Sequence, residues 1–146
     1  MTAHAPSPEF SLPLRVYIED TDAGGIVYYV NYLKFMERAR TEYMRSLGFD
    51  RTAIFSEQLM FVVQSVNVRY HQPAQLDDEL VATARPLKVG GASILLQQAV
   101  RRGDTVLAEG DIRIACVDKQ SLQPKKMPAE MLARLRQEQP PKNLEG

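Results

Sequence analysis

One cysteine, Cys116, and two histidines, His4 and His71, are all that this chain of 146 residues holds of those types. A lone cysteine cannot close an intrachain disulfide, so nothing in the sequence argues for an oxidising compartment. The cysteine and the two histidines stand far apart and give no zinc-like ligand spacing. An excess of one charge is missing too. Lys and Arg number 18, Asp and Glu also 18, whereas a general nucleic-acid binder carries a basic surplus. No apolar stretch approaches the ~18–20 residues needed to cross a bilayer. Residues 1–13 have neither a basic start nor a long apolar run, so they do not read as a signal peptide. The expectation is a cytoplasmic protein.

The motifs of several common chemistries are absent as well. There is no nucleophile elbow: the nearest stretch, residues 91–95 (GASIL), lacks the second glycine. There is no GxGxxG and no Walker A loop.

What is present is an ordinary globular composition, 45% hydrophobic and 25% charged. The length suits one domain, and such a chain buries about 68–70% of its unfolded surface without help from metals or disulfides. The pattern divides it into a loose N-terminal arm (residues 1–12), a single domain (residues 13–137) and a flexible tail (residues 138–146). Residues 14–20, LRVYIED, read as a strand, and TDAGG after it is turn chemistry. Over residues 30–47, Tyr32, Phe35, Met36, Ala39, Tyr43 and Leu47 fall at helical spacing, giving one apolar stripe. Asn31 or a residue just before it is a candidate cap, and Gly48 marks the end.

Most of the remainder is strand-like. In residues 65–71, Val66, Val68 and Tyr70 alternate with polar neighbours. Residues 78–89 follow, with Pro86 pointing to an edge or a bulge because it has no N–H to donate. Gly90 and Gly91 make a hairpin turn, residues 92–102 form the next strand, and Gly103–Asp104 turns the chain again. In residues 105–117, Val106, Ala108, Ile112, Ile114 and Cys116 share one face, while Glu109, Asp111 and Arg113 share the other. Residues 128–137 read as a short second helix with Pro128 at its start. Strand, helix and four strands joined by short turns predict an α+β architecture, one antiparallel sheet curled around one long helix. Such an open sheet has edges that favour pairing with a second copy.

The acidic run Glu19-Asp20-Thr21-Asp22 with Ala23-Gly24-Gly25 reads on its own as a turn, and a charged turn is commonly just solvated. Three acids in one turn lack the further oxygen ligands of a calcium loop. The longer run RVYIEDTDAGGIVYYVNYLKFMERARTEY, residues 15–43, resembles the signature of the 4-hydroxybenzoyl-CoA thioesterase family. It is most similar to the acyl-CoA thioesterases associated with the bacterial Tol–Pal system. The similarity continues through FVVQSVNVRYHQPAQLDDEL (residues 61–80) and the ACVD of residues 115–118.

The resemblance implies a hotdog fold with a five-stranded antiparallel sheet, matching the element order read above. It implies hydrolysis of an acyl-CoA thioester, with Asp22 as the catalytic carboxylate. Where some members carry histidine this chain has Tyr29, so only the backbone N–H of Tyr29 inherits a role, polarising the carbonyl from the helix start. Gly24 and Gly25 let substrate approach the backbone, and Tyr28 and Tyr32 are aromatic neighbours of the site. Lys88, Arg101 and Arg102, at strand ends, are candidate partners for the phosphates of coenzyme A. Asp20 reads more readily as a surface residue than as support for the site, and His71 as solvated or hydrogen-bonded. No metal and no tightly held cofactor is implied, coenzyme A being part of the substrate. The expected partners are an acyl-CoA, acyl carrier protein as an alternative thiol carrier, and further copies of the chain in a homodimer assembling to a homotetramer.

Two other functions fit the same fold. A hydratase or dehydratase generally pairs a carboxylate with a nearby histidine, and this chain has none between His4 and His71. A non-catalytic acyl-CoA or acyl-carrier-protein binding module keeps the fold but has no need of Asp22.

Overall fold

The computed structural model describes residues 9–50 and 58–140. Helix α1 (Val30–Ser46) buries Tyr32, Phe35, Met36, Ala39 and Tyr43, the stripe that the 3.6-residue period predicts. It stops at Gly48, whose φ of 99° is a left-handed value that glycine adopts without penalty. The N–H of Phe49 then reaches back to the carbonyl of Met44 at 3.0 Å, closing the last turn. At the other end Tyr29 is the cap residue and no side chain caps the helix. Asn31, a candidate for that task, is committed elsewhere.

The five strands are β1 (Phe10–Arg15), β2 (Leu59–Tyr70), β3 (Glu79–Val89), β4 (Ser93–Arg102) and β5 (Thr105–Asp118). They form one antiparallel sheet in the order β1-β3-β4-β5-β2. With α1 laid on one face of the sheet, this is the hotdog architecture. The core lies between them: Phe35, Met36 and Ala39 of the helix against Leu80, Ala82, Ile94, Leu96 and Ile112 of the sheet, all buried. Gln98 is the one fully buried side-chain amide among the described residues; its Nε2 donates to the carbonyls of Met36 (2.8 Å) and Thr83 (3.1 Å), tying helix to sheet.

Helix α2 (Ala129–Glu138) buries Met131, Leu132 and Leu135 and packs on β3. Strand β1 pairs with β3 only as far as Ala84. Beyond that point Gln139, just past α2, accepts a hydrogen bond from the Val89 N–H at 2.9 Å, so the free stretch of β3 is covered.

Three element boundaries differ from the sequence reading, each for a local reason. The first strand begins at Phe10, inside the stretch read as a loose arm, because Phe10, Leu12 and Leu14 pack on the core; Pro13 is tolerated since β1 is an edge. It ends at Arg15, and residues 18–20 form a short 3-10 turn instead of continuing the strand. Strand β2 starts six residues before the alternation at residue 65 becomes legible, because a bulge between Val63 and Ser65 breaks the period of two. The irregularity that Pro86 foretold is there, a register shift between Pro86 and Lys88. The first eight residues of the arm, and residues 141–146 of the tail, lie outside the described residues.

Candidate active site

Between β1 and α1 the chain folds on itself as a small hairpin. The N–H of Asp22 donates to the Ile26 carbonyl (2.9 Å), Thr21 bridges Val27, and the Tyr28 N–H donates to the Asp20 carbonyl (3.0 Å). Gly25 sits in the turn with φ of 83°, a value that would strain any residue with a Cβ. The hairpin is fastened sideways: the Val27 N–H donates to the Ala74 carbonyl at 2.8 Å, and Ile26 bridges Gln75. A third tie comes from the helix. The buried Ala74 N–H donates to the Tyr32 hydroxyl at 2.9 Å.

Asp22 is exposed on this hairpin. Its Oδ1 accepts the Gly24 N–H at 2.9 Å, a local turn that holds the side chain, while no partner for Oδ2 exists among the described residues. At the foot of the hairpin α1 begins. The N–H groups of Asn31 and Tyr32 donate to the Tyr28 and Tyr29 carbonyls (2.8 and 3.3 Å). Those of Tyr29 and Val30 have no acceptor among the described residues. Unanswered N–H groups at the positive end of a 17-residue helix make a place for negative charge.

Beside them lies a pocket of about 240 Å³ lined by Ile26, Val27, Tyr29, Tyr32, Tyr70 and Pro73, with His71 and Gln72 at its wall. The Tyr70 ring meets that of Tyr29 at 6.0 Å and that of Tyr32 at 5.6 Å, both edge-on, and Tyr28 leans on Tyr29 at 5.0 Å. Burial pushes the Tyr32 hydroxyl above its ordinary pKa, against the hydrogen bond from Ala74. Burial also raises Tyr70, and the neighbouring Tyr29 and Tyr32 add to it. Both therefore stay neutral near pH 7, and neither serves as a phenolate base.

Of the residues singled out from the sequence, Asp22, Gly24, Gly25, Tyr28 and Tyr29 share the hairpin and the helix start, and Tyr32 lies one turn on. Asp22 and Tyr28 are close by in the chain but are not among the residues lining the pocket. The three cations part company. Arg102 donates to Asp78 Oδ2 at 2.7 Å and to the Pro73 carbonyl at 3.4 Å, which sets it behind the pocket wall. Arg101 is paired with Glu9 at 2.9 Å. Lys88 lies near the far end of β3, about 30 Å along the strand from the residues that flank the hairpin.

His71, read as solvated or hydrogen-bonded, stands at the pocket wall hydrogen-bonded to Glu109 (2.9 Å). Sequence reasoning missed two contributors. Tyr70 stood out only as an apolar-face residue of a strand. Asp20, read as a surface residue, is buried at 5% exposure: its carboxylate accepts the Tyr17 N–H and the Asn31 amide, each at 2.9 Å. A carboxylate is buried only where donors meet it, and one of these is eleven residues away in sequence.

The five-stranded antiparallel sheet with α1 on its face is the hotdog architecture, and Asp22 and the unanswered N–H groups at the start of α1 stand on one short segment of it. Residues 16–135 match the family model described as the thioesterase-like superfamily, and the chain belongs to that family. It is similar to the acyl-CoA thioesterase YbgC of Haemophilus influenzae, 45% identical over 125 residues that cover 85% of this chain and 92% of that one. The acyl-CoA thioester hydrolase YbgC of Escherichia coli is 40% identical over 129 residues, 88% and 96% of the two chains. Among solved structures, a probable thioesterase from Bartonella henselae superposes with a TM-score of 0.77 at 32% identity, covering 83% of this chain and all (100%) of that one.

Proposed function

We propose that this protein hydrolyses acyl-CoA thioesters to a free acid and coenzyme A, with Asp22 as the catalytic carboxylate and the Tyr29 backbone N–H as the group that polarises the carbonyl. It is an enzyme, a thioester hydrolase. The observation that carries the reading is the pair of unanswered N–H groups at the start of α1, beside an apolar pocket and on the same short segment as an exposed carboxylate. The acyl group enters the pocket and its carbonyl oxygen lies on the Tyr29 N–H. As the carbonyl carbon becomes tetrahedral the oxygen gains negative charge, and one such donor contributes about 10²–10³ in rate.

Asp22 acts in one of two ways. As nucleophile, its Oδ2 bonds to the carbonyl carbon, the C–S bond breaks, coenzyme A leaves as thiolate, and water opens the resulting anhydride. As general base, it takes a proton from a water that attacks the same carbon, and the tetrahedral species then collapses with cleavage of the C–S bond, coenzyme A leaving as thiolate; such assistance contributes about 10²–10⁴. Either route uses groups of the chain alone and needs no cofactor. The carboxylate oxygen left free by the Gly24 N–H supports Asp22 in this role, and the pocket tyrosines, held neutral, do not compete for it.

The working form is a homodimer, itself the unit of a tetramer. Strand β2 supports this: it is a 12-residue sheet edge that exposes Val62, Val63, Val66 and Tyr70. Between β2 and α1 an open groove of about 210 Å³ runs along Arg40, Met44, Phe61 and Val63, space for a second copy to fill. Among the described residues no helix is long and apolar enough to cross a membrane. The cytoplasm, where a lone thiol such as Cys116 stays reduced, is the proposed place of action.

The test is thiol release by the purified protein from short-chain, aromatic and long-chain acyl-CoAs and from an acyl carrier protein thioester. Release from one or more of the CoA thioesters supports the reading. Tight binding of an acyl-CoA by calorimetry with no release of thiol refutes it in favour of a binding module.

A further inference from the structure

We propose that Asp20 is a positioning residue, whose buried carboxylate clasps Asn31 and so fixes the hairpin bearing Asp22 against the start of α1. This rests on the reading of Asp22 and the Tyr29 N–H given above. Asp20 holds three groups at once. Oδ2 accepts the Tyr17 N–H (2.9 Å), Oδ1 accepts the Asn31 Nδ2 (2.9 Å), and its carbonyl accepts the Tyr28 N–H (3.0 Å). Tyr17 belongs to the segment entering the hairpin, Asn31 to the first turn of α1, and Tyr28 adjoins Tyr29. The side chain thus joins the entering foot of the hairpin to the helix, while the backbone carbonyl of the same residue holds the departing foot at Tyr28.

The composition of the clasp argues for this role. A carboxylate at 5% exposure is costly, and among the described residues no Lys or Arg pairs with it. Its charge is met by two neutral donors and the positive end of α1. A hydrophobic residue there would leave the Tyr17 N–H and the Asn31 amide without partners. The carboxylate also has a geometric task that a neutral amide cannot do: both groups facing it are donors, so both of its oxygens must accept. Asp22 lies two residues further on in the hairpin, and Tyr29 one residue after the N–H that Asp20 holds. A shift of this joint therefore changes the distance between carboxylate and amide, and a misplacement of about 1 Å can cost on the order of 10²-fold in rate.

The experiment is a donor–acceptor swap. In Asp20→Asn the new amide accepts from one neighbour but turns its own N–H groups on the other. In Asp20→Asn with Asn31→Asp, the asparagine accepts from Tyr17 and donates to the new aspartate, so both contacts return. The expected result is a fall in kcat of about 10–10²-fold for Asp20→Asn, KM changing less than about 3-fold, with most of kcat regained in the swap. Amide hydrogen exchange at Tyr28 is measured alongside: faster in the single variant, restored in the swap. A folded Asp20→Asn with unchanged kcat overturns the proposal, as does a swap that stays as slow as the single variant. If Asp20→Asn does not fold, Asn31→Ala decides: a loss of kcat in the folded protein supports the clasp, and activity within about 2-fold of wild type refutes it. Exchange at Tyr28 that follows the swap, in a wild type that hydrolyses no acyl-CoA, shows that the clasp sets the joint while the reading of the site has failed. Exchange unchanged in all variants shows that the clasp itself is wrong.

Discussion

Two buried tyrosines on α1 allow the same substitution to be made in opposite circumstances. Tyr32 and Tyr43 are both 3% exposed and both pack in the core. The Tyr32 hydroxyl is the only acceptor, among the described residues, for the N–H of the fully buried Ala74. Tyr32→Phe removes that acceptor and strands the N–H, a cost of about 1–3 kcal/mol. For a chain of this size 1 kcal/mol moves Tm by about 2–4 °C, so the expected fall is about 2–12 °C. The Tyr43 hydroxyl, by contrast, has no hydrogen-bond partner among the described residues. Tyr43→Phe removes a desolvated polar group that receives nothing in return, and Tm should hold or rise by up to about 4 °C. Thermal unfolding of both variants at one protein concentration is the assay, since association shifts Tm as well. Equal losses in the two variants would refute the reasoning, because the effect would then follow hydroxyl removal rather than hydrogen bonding.

Four further outcomes are expected. Burial, with Glu138 adding to it, raises the Tyr43 pKa well above its ordinary value; the folded state is unaffected below about pH 10 and loses stability as pH rises past it, where the unfolded chain ionises first, so Tyr43→Phe should flatten the alkaline limb of a stability–pH curve. At Asp78 burial opposes ionisation, but the hydrogen bonds from the Gln75 N–H and Arg102 outweigh it and lower the pKa. Its stabilisation is present above about pH 4 and lost as pH falls through the lowered pKa, so Asp78→Asn should reduce stability at neutral pH and shrink the acid loss. Gly110→Ala should destabilise by about 1–3 kcal/mol or more in urea unfolding, since the added Cβ meets backbone, the Asn67 carbonyl oxygen and Val68 Cα (2.7 Å), which no rotamer change relieves. On the proposed pairing through β2, Val63→Lys with Val66→Lys, at positions 48% and 44% exposed, should leave the subunit folded and shift sedimentation toward the monomer.

The helix was legible in the sequence to within a residue because a 17-residue element repeats its period several times, and Gly48 signals the end chemically. Strand positions were less legible wherever the period of two was interrupted. The bulge after Val63 hid half of β2, and Pro13 disguised β1, although its apolar residues at 10, 12 and 14 alternate as a strand should. At the site, the local segment around Asp22 could be read because its signature is contiguous. What could not be read were the contacts made across the fold: Asp20 with Asn31, Tyr32 with Ala74, Tyr70 with Tyr29. Lys88 is different, since a signal existed. It adjoins the Gly90–Gly91 turn while Arg101 adjoins the turn at Gly103, and a hairpin strand of 10 residues must hold the two apart.

The central claim is that Asp22 carries the hydrolysis. The most direct measurement is the rate of thiol release by Asp22→Asn beside wild type, on the acyl-CoA that wild type cleaves fastest, with matched thermal unfolding of the two proteins. A folded variant slower by ~10²-fold or more is the predicted result. A folded variant that turns over at the wild-type rate would contradict it, and the carboxylate doing the work would have to be sought elsewhere in the chain.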